Sequence, residues 1–245
     1  MEPVSTIPAP LEMSVINRII NVFIAPSKTF EHLIQKPEWV TPLIIALIMM
    51  VTFSIVMKNL IQTESVKAAR EAIMKSDQIA NDQKEQVIEQ QTTMMKKFWF
   101  VGIAIGMVLV GAGYFLSPLF LRIGGNSLLG GTATYIQILA IYGYSTLIDF
   151  LAILVKAPLM MVNQSLRVDT GLGMLLGEPA TRSALYTFLA KFDIFTFWQL
   201  AVLVIGLSIL YKFSKGKAAA LVIGLWLIWV LLLTGMVAMG MHFGG

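Results

Sequence analysis

Cysteine and charge are the two things that this sequence has least of. Its 245 residues contain no cysteine, two histidines and 13% charged residues, whereas 57% are hydrophobic and the mean hydropathy is +0.77. Without cysteine the chain can form no disulfide, thiolate nucleophile or iron–sulfur cluster. A soluble protein of this length needs more charge on its surface than this composition offers. The composition therefore predicts an all-α protein that spans a membrane.

Five windows of about 20 largely uncharged residues are long enough to cross about 30 Å of hydrocarbon as helices. They are residues 39–57, 98–121, 134–155, 194–211 and 218–242. Residues 1–38 show no basic start followed by an apolar core, so the first span is expected to act as its own insertion signal. The sequence therefore predicts a five-span membrane domain, residues 39–245, after a separate N-terminal segment, residues 1–38.

The distribution of lysine and arginine between the connections predicts the orientation of the spans. The short link between the fourth and fifth spans holds Lys212, Lys215 and Lys217, whereas the last five residues hold no lysine or arginine. The link and the N-terminus are therefore expected in the cytoplasm, and the C-terminus outside it. Residues 58–97 oppose this assignment with seven bases, but they are accompanied by six acids. The positive-inside rule weakens for so long a connection, so the short link decides.

The N-terminal segment has apolar residues at helical spacing. One apolar stripe runs from Leu11 to Phe23, and Pro26 and Ser27 separate it from a second short helical pattern. The segment therefore predicts two amphipathic helices. They could lie on the cytoplasmic headgroups, which is the more economical arrangement, or fold back on the cytoplasmic end of the bundle.

The connection of residues 58–97 lacks both glycine and proline and is rich in glutamate, glutamine, lysine, alanine and methionine. This composition favours helix throughout. Its polar break predicts an extracytoplasmic helical hairpin that turns near residues 76–82. The apolar positions of the hairpin need burial, either against each other or against a partner.

The third span carries an intramembrane polar stripe of Tyr135, Tyr142, Ser145 and Asp149. Residues spaced by sevens, or by alternating threes and fours, share one face of a single helix. A carboxylate that faced lipid here would cost on the order of 3 kcal/mol or less, so the stripe is expected to face the bundle interior. The start of the fourth span is expected at the same level as Asp149.

A facing polar group is predicted around that start. Its members are Arg167, Lys191, Asp193, Thr196 and Gln199. Lys191, or Arg167 from the preceding connection, is the expected partner of Asp149. Three roles stay open for the stripe: a structural clamp between two helices, a proton or ion relay, and a recognition site.

The second span carries Gly102, Gly106 and Gly113, and this spacing predicts a small-residue face for close helix packing, within the chain or between chains. No other pattern predicts chemistry. The glycine-rich residues 123–134 lack the strand and the Lys-Ser/Thr pair of a phosphate-binding loop. We therefore expect no catalytic residue, no metal site and no cofactor. A net charge of +4, spread over several connections, indicates no nucleic acid.

Three segments of the chain contain sequence motifs that are informative when they are taken together and in this order. They read FIAPSKTFEHLIQKPEWVTPL at residues 23–43, YGYS at residues 142–145 and KFDIFTFWQLAVLVIGLSILYKFSKGKA at residues 191–218. With five spans and a cytoplasmic N-terminus, they resemble the bacterial branch of the Yip family, the Ypt/Rab-interacting membrane proteins. The similarity covers residues 17–241. The Asp-Leu-x-Gly-Pro-like element typical of eukaryotic members is absent before the first span.

The resemblance implies a non-enzymatic scaffold or adaptor in the bacterial cytoplasmic (inner) membrane. Such a protein organises membrane partners or assists another membrane machine, and its partners are the lipid bilayer and either further copies of itself or other membrane proteins. The alternative function is a small transporter or channel subunit with an acidic relay at Asp149. Neither function is expected to need a cofactor.

Overall fold

The computed structural model describes residues 13–166, 168, 170–176 and 183–240. These residues form eleven α-helices in chain order. They are α1 (Val15–Ile24), α2 (Pro26–Gln35), α3 (Val40–Val56), α4 (Lys58–Lys75), α5 (Lys84–Lys97), α6 (Trp99–Arg122), α7 (Tyr135–Ser145), α8 (Leu147–Asn163), α9 (Ala184–Leu189), α10 (Ile194–Tyr211) and α11 (Lys215–Ala238). A π-helical turn, Ile123–Leu128, extends α6, and a 3-10 turn, Leu172–Leu176, precedes α9.

Four helical units among the described residues are long and apolar enough to cross a membrane. They are α6 with its π-helical turn, α7 with α8, α10 and α11. A fifth span results if α3 and α4 count together as one broken span, because they are bent by 73° at Met57. The prediction of an all-α chain with several membrane-spanning helices is confirmed at this level.

Among the predicted spans, the third differs most from the observed structure. It consists of two helices that break at Thr146, and α8 continues to Asn163, eight residues beyond the predicted end at 155. The helix can run on through Lys156 because that cation is paired with Asp193. The last span begins at Lys215 instead of 218, because the Ser214 side chain accepts a hydrogen bond from Lys217 N and caps the helix.

The helix α7 lies at the centre of the bundle. Seven of its eleven residues are buried, on all sides, because α2, α3, α6 and α10 pack around it. By contrast, α6 and α11 bury only three and four of their 24 residues and keep broad apolar faces exposed. Apolar residues all round a helix are typical of a bundle centre, and outward apolar faces are typical of contact with lipid.

The N-terminal helices pack against the bundle. Val22, Phe30 and Leu33 are fully buried, and the ring of Phe23 meets that of Trp198 on α10 edge-on at 6.0 Å. The arrangement favoured from the sequence, two helices resting only on headgroups, is therefore replaced by the alternative, in which they fold back on the bundle. Apolar residues cover two sides of α1. One of these sides packs on the bundle, and the other stays exposed.

The connection between α3 and α6 is a helical hairpin. Its two helices, α4 and α5, pack against each other through Ile73 and Ile88, and the turn between them covers residues 76–83. Across the pair, Arg70 Nη2 lies 2.7 Å from Glu85 Oε1. Exposed ion pairs of this kind contribute little, so the apolar contact provides most of the stability of the hairpin.

Candidate functional site

Asp149 lies in the first turn of α8 and is bonded across the bundle to α10. Gln199 Nε2 donates a hydrogen bond to Asp149 Oδ2 at 2.7 Å. The local backbone favours the acid, because α8 begins at the Thr146 break and the first turn of a helix attracts negative charge. The Thr146 hydroxyl donates to Gly143 O at 2.7 Å, which satisfies a carbonyl at the end of α7.

The four residues of the polar stripe do not share one partner. The Tyr135 hydroxyl donates to Phe115 O on α6 at 2.7 Å, and the Tyr142 ring lies 6.2 Å from the ring of Tyr114, also on α6. Ser145 Oγ donates to Ile141 O in its own helix at 2.8 Å. The stripe was predicted on one uninterrupted helix, and the break at Thr146 separates Asp149 from the other three.

The facing polar group is likewise divided. Gln199 reaches Asp149, whereas Lys191 is exposed and neither it nor Thr196 is bonded to Asp149 in the described part of the chain. Arg167, the other expected partner, lies outside the described residues. The expected ion pair with Lys191 is therefore replaced by a hydrogen bond to a neutral amide, because Lys191 precedes α10 by three residues and stays on the surface.

Asp193 forms a second polar site, at the start of α10. Its Oδ1 accepts a hydrogen bond from Phe195 N at 2.8 Å, and its Oδ2 accepts from Lys156 Nζ at 3.0 Å and from the Thr170 hydroxyl. Burial by itself would raise the pKa of Asp193, but the bonds from Thr170 and Lys156 and the lysine charge hold that pKa below its usual value. Asp193 thus stays ionised and caps the helix.

Lys156 is a site residue that the sequence analysis missed. A signal for it was present, because Lys156 directly follows the predicted end of the third span and Asp193 directly precedes the fourth. Two successive spans joined by one connection bring those positions to the same end of the bundle. The Lys156–Asp193 pair is a second link between α8 and the start of α10, in addition to the Asp149–Gln199 bond.

Glu38 is the centre of a polar network that the sequence analysis also missed. The Tyr144 hydroxyl donates to Glu38 Oε2 at 2.8 Å, Thr41 N donates to Oε1 at 2.7 Å, and Arg18 Nη2 lies 3.8 Å from Oε2. Arg18 also contacts His32, with 3.4 Å between Nη1 and Nε2. The network joins α1, α2, the start of α3 and the central helix α7.

The ionisation of Glu38 follows from these contacts. Burial would raise the pKa of Glu38, but the hydrogen bonds from Thr41 N and the Tyr144 hydroxyl, together with the Arg18 charge, lower it below the ordinary 4.5. Glu38 is therefore a carboxylate at neutral pH. It holds three helices together as an acceptor for two donors and as the counter-ion of an arginine whose side chain is only 11% exposed.

Tyr114 connects α6 to the same region. Its hydroxyl donates to Trp39 O at 2.7 Å, at the start of α3. The hydroxyl also lies directly over Gly143 of α7, where an added Cβ would overlap it. Gly143 is therefore required for the close approach of α6 and α7.

The predicted glycine face of the second span is only partly used. A Cβ on Gly106 would overlap the terminal methyl of Met50 on α3, so this glycine permits a close contact. No described side chain or backbone lies within 4 Å of a Cβ built on Gly102 or Gly113. Within the chain, α6 instead packs through the face of Tyr114, Pro118 and Leu121.

These polar sites act between helices, and their chemistry is that of hydrogen bonds and ion pairs. The described residues contain no group of three or more histidine, aspartate or glutamate side chains that could hold a metal ion. Asp149, Asp193 and Glu38 each have a different partner on a different helix. Two of these contacts join α8 to α10, and the third joins the start of α3 to α7.

Comparison with known proteins identifies the family of the chain. The family model described as "Yip1 domain" matches residues 20–237, which include every helix from α2 to α10 and nearly all of α11. No curated protein and no solved structure matches the chain. Because the match covers most of its length, this chain is a membrane protein that belongs to the Yip family.

Proposed function

We propose that this protein is a non-enzymatic membrane scaffold or adaptor, which organises membrane partners or assists another membrane machine. The observation that carries the proposal is the bond between Asp149 and Gln199. A proton relay needs neighbours that exchange protons, and the side-chain amide of glutamine does not titrate. This bond supports a role of Asp149 as a clamp between α8 and α10.

The outer helices support the same function. Large apolar side chains on α6 and α11 are exposed, among them Val108 at 70% and Trp229 at 59%. These faces are available to lipid and to the helices of other membrane proteins. A protein that binds partners through its membrane-facing surface needs a stable interior and such outer faces, and the bundle combines both.

The orientation proposed for this scaffold places the N-terminus in the cytoplasm of a bacterial cell and the C-terminus outside it. The cations at the link between α10 and α11 support it, because short basic connections stay on the cytoplasmic side. The α4–α5 hairpin is then extracytoplasmic. In this orientation α1 and α2 cover the cytoplasmic half of the bundle.

Photo-cross-linking in native membranes tests the scaffold. A benzophenone amino acid placed at Val108 of α6, or at Leu231 of α11, should yield discrete adducts with other protein chains, because both side chains are exposed. The same variants irradiated after dispersal in detergent serve as the control and should lose the adducts. Adducts with lipid alone at both positions would contradict the scaffold. The competing function, transport through Asp149, predicts proton or cation flux instead.

A further inference from the structure

Four exposed cations lie together at one end of the bundle. Arg122 ends α6, Lys212 follows α10, and Lys215 and Lys217 lie in the first turn of α11. These four residues are called the basic end below. Neither of the two connections that carry them, residues 122–134 and 211–220, contains an aspartate or glutamate.

Hydrogen bonds hold the two connections in one surface. The Tyr211 hydroxyl donates to Asn126 Oδ1 at 2.7 Å, and Asn126 Nδ2 donates to Ala133 O at 3.0 Å. Lys217 Nζ reaches across to Leu129 O at 2.9 Å. The basic end is therefore preorganised, and its cations do not need to be gathered from separate mobile loops when a ligand binds.

None of the four cations has an acidic partner among the described residues, and Lys217 bonds only a carbonyl, Leu129 O. The helix dipole favours Arg122 and Lys212 at the C-terminal ends of α6 and α10, but it disfavours Lys215 and Lys217 in the first turn of α11, so helix stability does not explain these two lysines. Because no carboxylate neutralises it within the described residues, the charge of the basic end is available to an external anion.

The position of the basic end identifies that anion. Three units long enough to span the membrane, α6, α10 and α11, all have an end here, and the adjoining Ile123 and Leu128 are exposed, Leu128 by 78%. Apolar side chains beside cations at the end of a span lie at the depth of the lipid headgroups. Guanidinium and ammonium groups at that depth favour phosphate oxygens.

We propose that the basic end binds the headgroups of anionic phospholipids in the surrounding bilayer, with Arg122, Lys212 and Lys215 contacting their phosphates. Lys217 contributes charge while its Nζ bonds Leu129 O. Each basic residue near an anionic membrane surface strengthens the attraction about fivefold, which is about 1 kcal/mol. The three free cations together are therefore expected to enrich anionic lipid beside the basic end by about a hundredfold at most.

A single fluorescent label can report lipid composition at this surface, because the chain has no other cysteine. Ser127 lies in the π-helical turn beside Arg122 and is exposed, so the label is attached to the variant Ser127→Cys. The labelled protein is placed in mixed vesicles that contain nitroxide-labelled phosphatidylglycerol or, separately, phosphatidylcholine with the same labelled acyl chain. Only the headgroup differs between the two quenchers. Quenching by phosphatidylglycerol should exceed quenching by phosphatidylcholine several-fold.

The variant Arg122→Gln/Lys212→Gln/Lys215→Gln should bring the ratio of the two quenching efficiencies close to one. The matched control, Lys75→Gln/Lys96→Gln/Lys97→Gln, removes the same charge from the α4–α5 hairpin and should keep the ratio. High salt, with a Debye length of about 3 Å at about 1 M, should also abolish the preference in the unaltered basic end. This last measurement needs no substitution beyond the labelling site, Ser127→Cys.

Equal quenching by the two lipids at low salt would overturn the proposal. So would a preference that survives both high salt and the triple substitution at the basic end. An equal loss of preference in the hairpin control would show that total charge, and not the basic end, attracts the lipid. That result would overturn the proposal as well.

Discussion

Glu38 and Asp149 are both carboxylates at helix contacts of one bundle, yet their surroundings differ. Glu38 accepts hydrogen bonds from Tyr144 and Thr41 N and has Arg18 as its counter-ion. Asp149 accepts a bond from the neutral amide of Gln199. The first acid holds together several groups that would be stranded without it. The second holds one group that can bond equally well to a neutral acceptor.

The difference indicates where charge is needed. At Glu38 the ionised form compensates a largely buried arginine, so the charge itself contributes to stability. At Asp149 a hydrogen bond is sufficient, and the charge can be removed at little cost. Removal of the charge should therefore cost more stability at Glu38, at the start of α3, than at Asp149.

Replacement of Glu38 should have the largest effect. Glu38→Ala leaves the Tyr144 hydroxyl and Arg18 without their acceptor, and removing one partner of a partly buried pair is costly. We expect a loss of about 2–4 kcal/mol in the free energy of unfolding, measured by denaturant titration in detergent micelles. Glu31→Ala, on the exposed face of α2, is the control and should change stability by less than about 0.5 kcal/mol. Equal effects of the two substitutions would refute the role assigned to Glu38.

Overpacking beside Glu38 tests whether close helix contacts matter as much as charge there. Gly143→Ala would push the Tyr114 hydroxyl away from Trp39 O, because the added methyl group overlaps it. We expect a destabilisation of about 1–3 kcal/mol. Gly102→Ala, where nothing lies within 4 Å, should be neutral or slightly stabilising, since alanine favours helix over glycine. Thermal unfolding of both variants in detergent provides the comparison, and a neutral Gly143→Ala would mean that α6 and α7 separate freely.

Acid should remove the charge contribution of Glu38. Its pKa in the folded protein lies below the ordinary 4.5, so the ionised form is favoured by folding. The resulting stability is fully present above 4.5 and is lost as the pH falls through the lower, folded-state pKa. The difference in unfolding free energy between wild type and Glu38→Gln, followed from about pH 6 to about pH 3, should therefore shrink. A difference that grows on acidification would mean that the pKa is raised instead.

The all-α membrane fold could be predicted from the sequence, and the bounds of one helix coincide with a predicted window. Residues 194–211 were predicted as a span and form α10, because Asp193 caps its start and Lys212 follows its end. The hairpin was readable because residues 58–97 lack glycine and proline between two apolar windows. In both places a local signal marks where a helix begins or ends, and such signals need no knowledge of distant contacts.

The polar contacts were readable only in part. Connectivity placed Asp149 level with the start of the fourth span, and Gln199 of that group is its partner. Helical periodicity shows which residues share a face, but not how two helices rotate against each other. The bond between Glu38 and Tyr144 joins residues 106 positions apart and was therefore missed. The break at Thr146 lies at no proline or glycine, so the stripe was read as continuous.

The smallest effect is expected when Asp149 loses only its charge, and here the comparison with Glu38 can also fail. Asp149→Asn keeps the size of the side chain and an oxygen that accepts the bond from Gln199, so it should cost at most about 1 kcal/mol. Asp149→Leu removes the acceptor, leaves the Gln199 amide unpaired and should cost about 1–3 kcal/mol. The stability order should thus be wild type, asparagine, leucine.

The same variants in proteoliposomes separate the clamp from a relay. A relay must bind and release protons or cations, so a neutral asparagine should abolish transport while the fold survives. If Asp149 is a clamp, none of the three proteins should give flux above that of empty vesicles. Their melting temperatures, measured alongside, show whether each variant is folded. Flux through the wild type that disappears in a well-folded Asp149→Asn protein would make Asp149 a transport residue. The charge of Asp149 would then serve transport, whereas the charge of Glu38 serves stability, so the two acids would differ in function as well as in their contribution to stability.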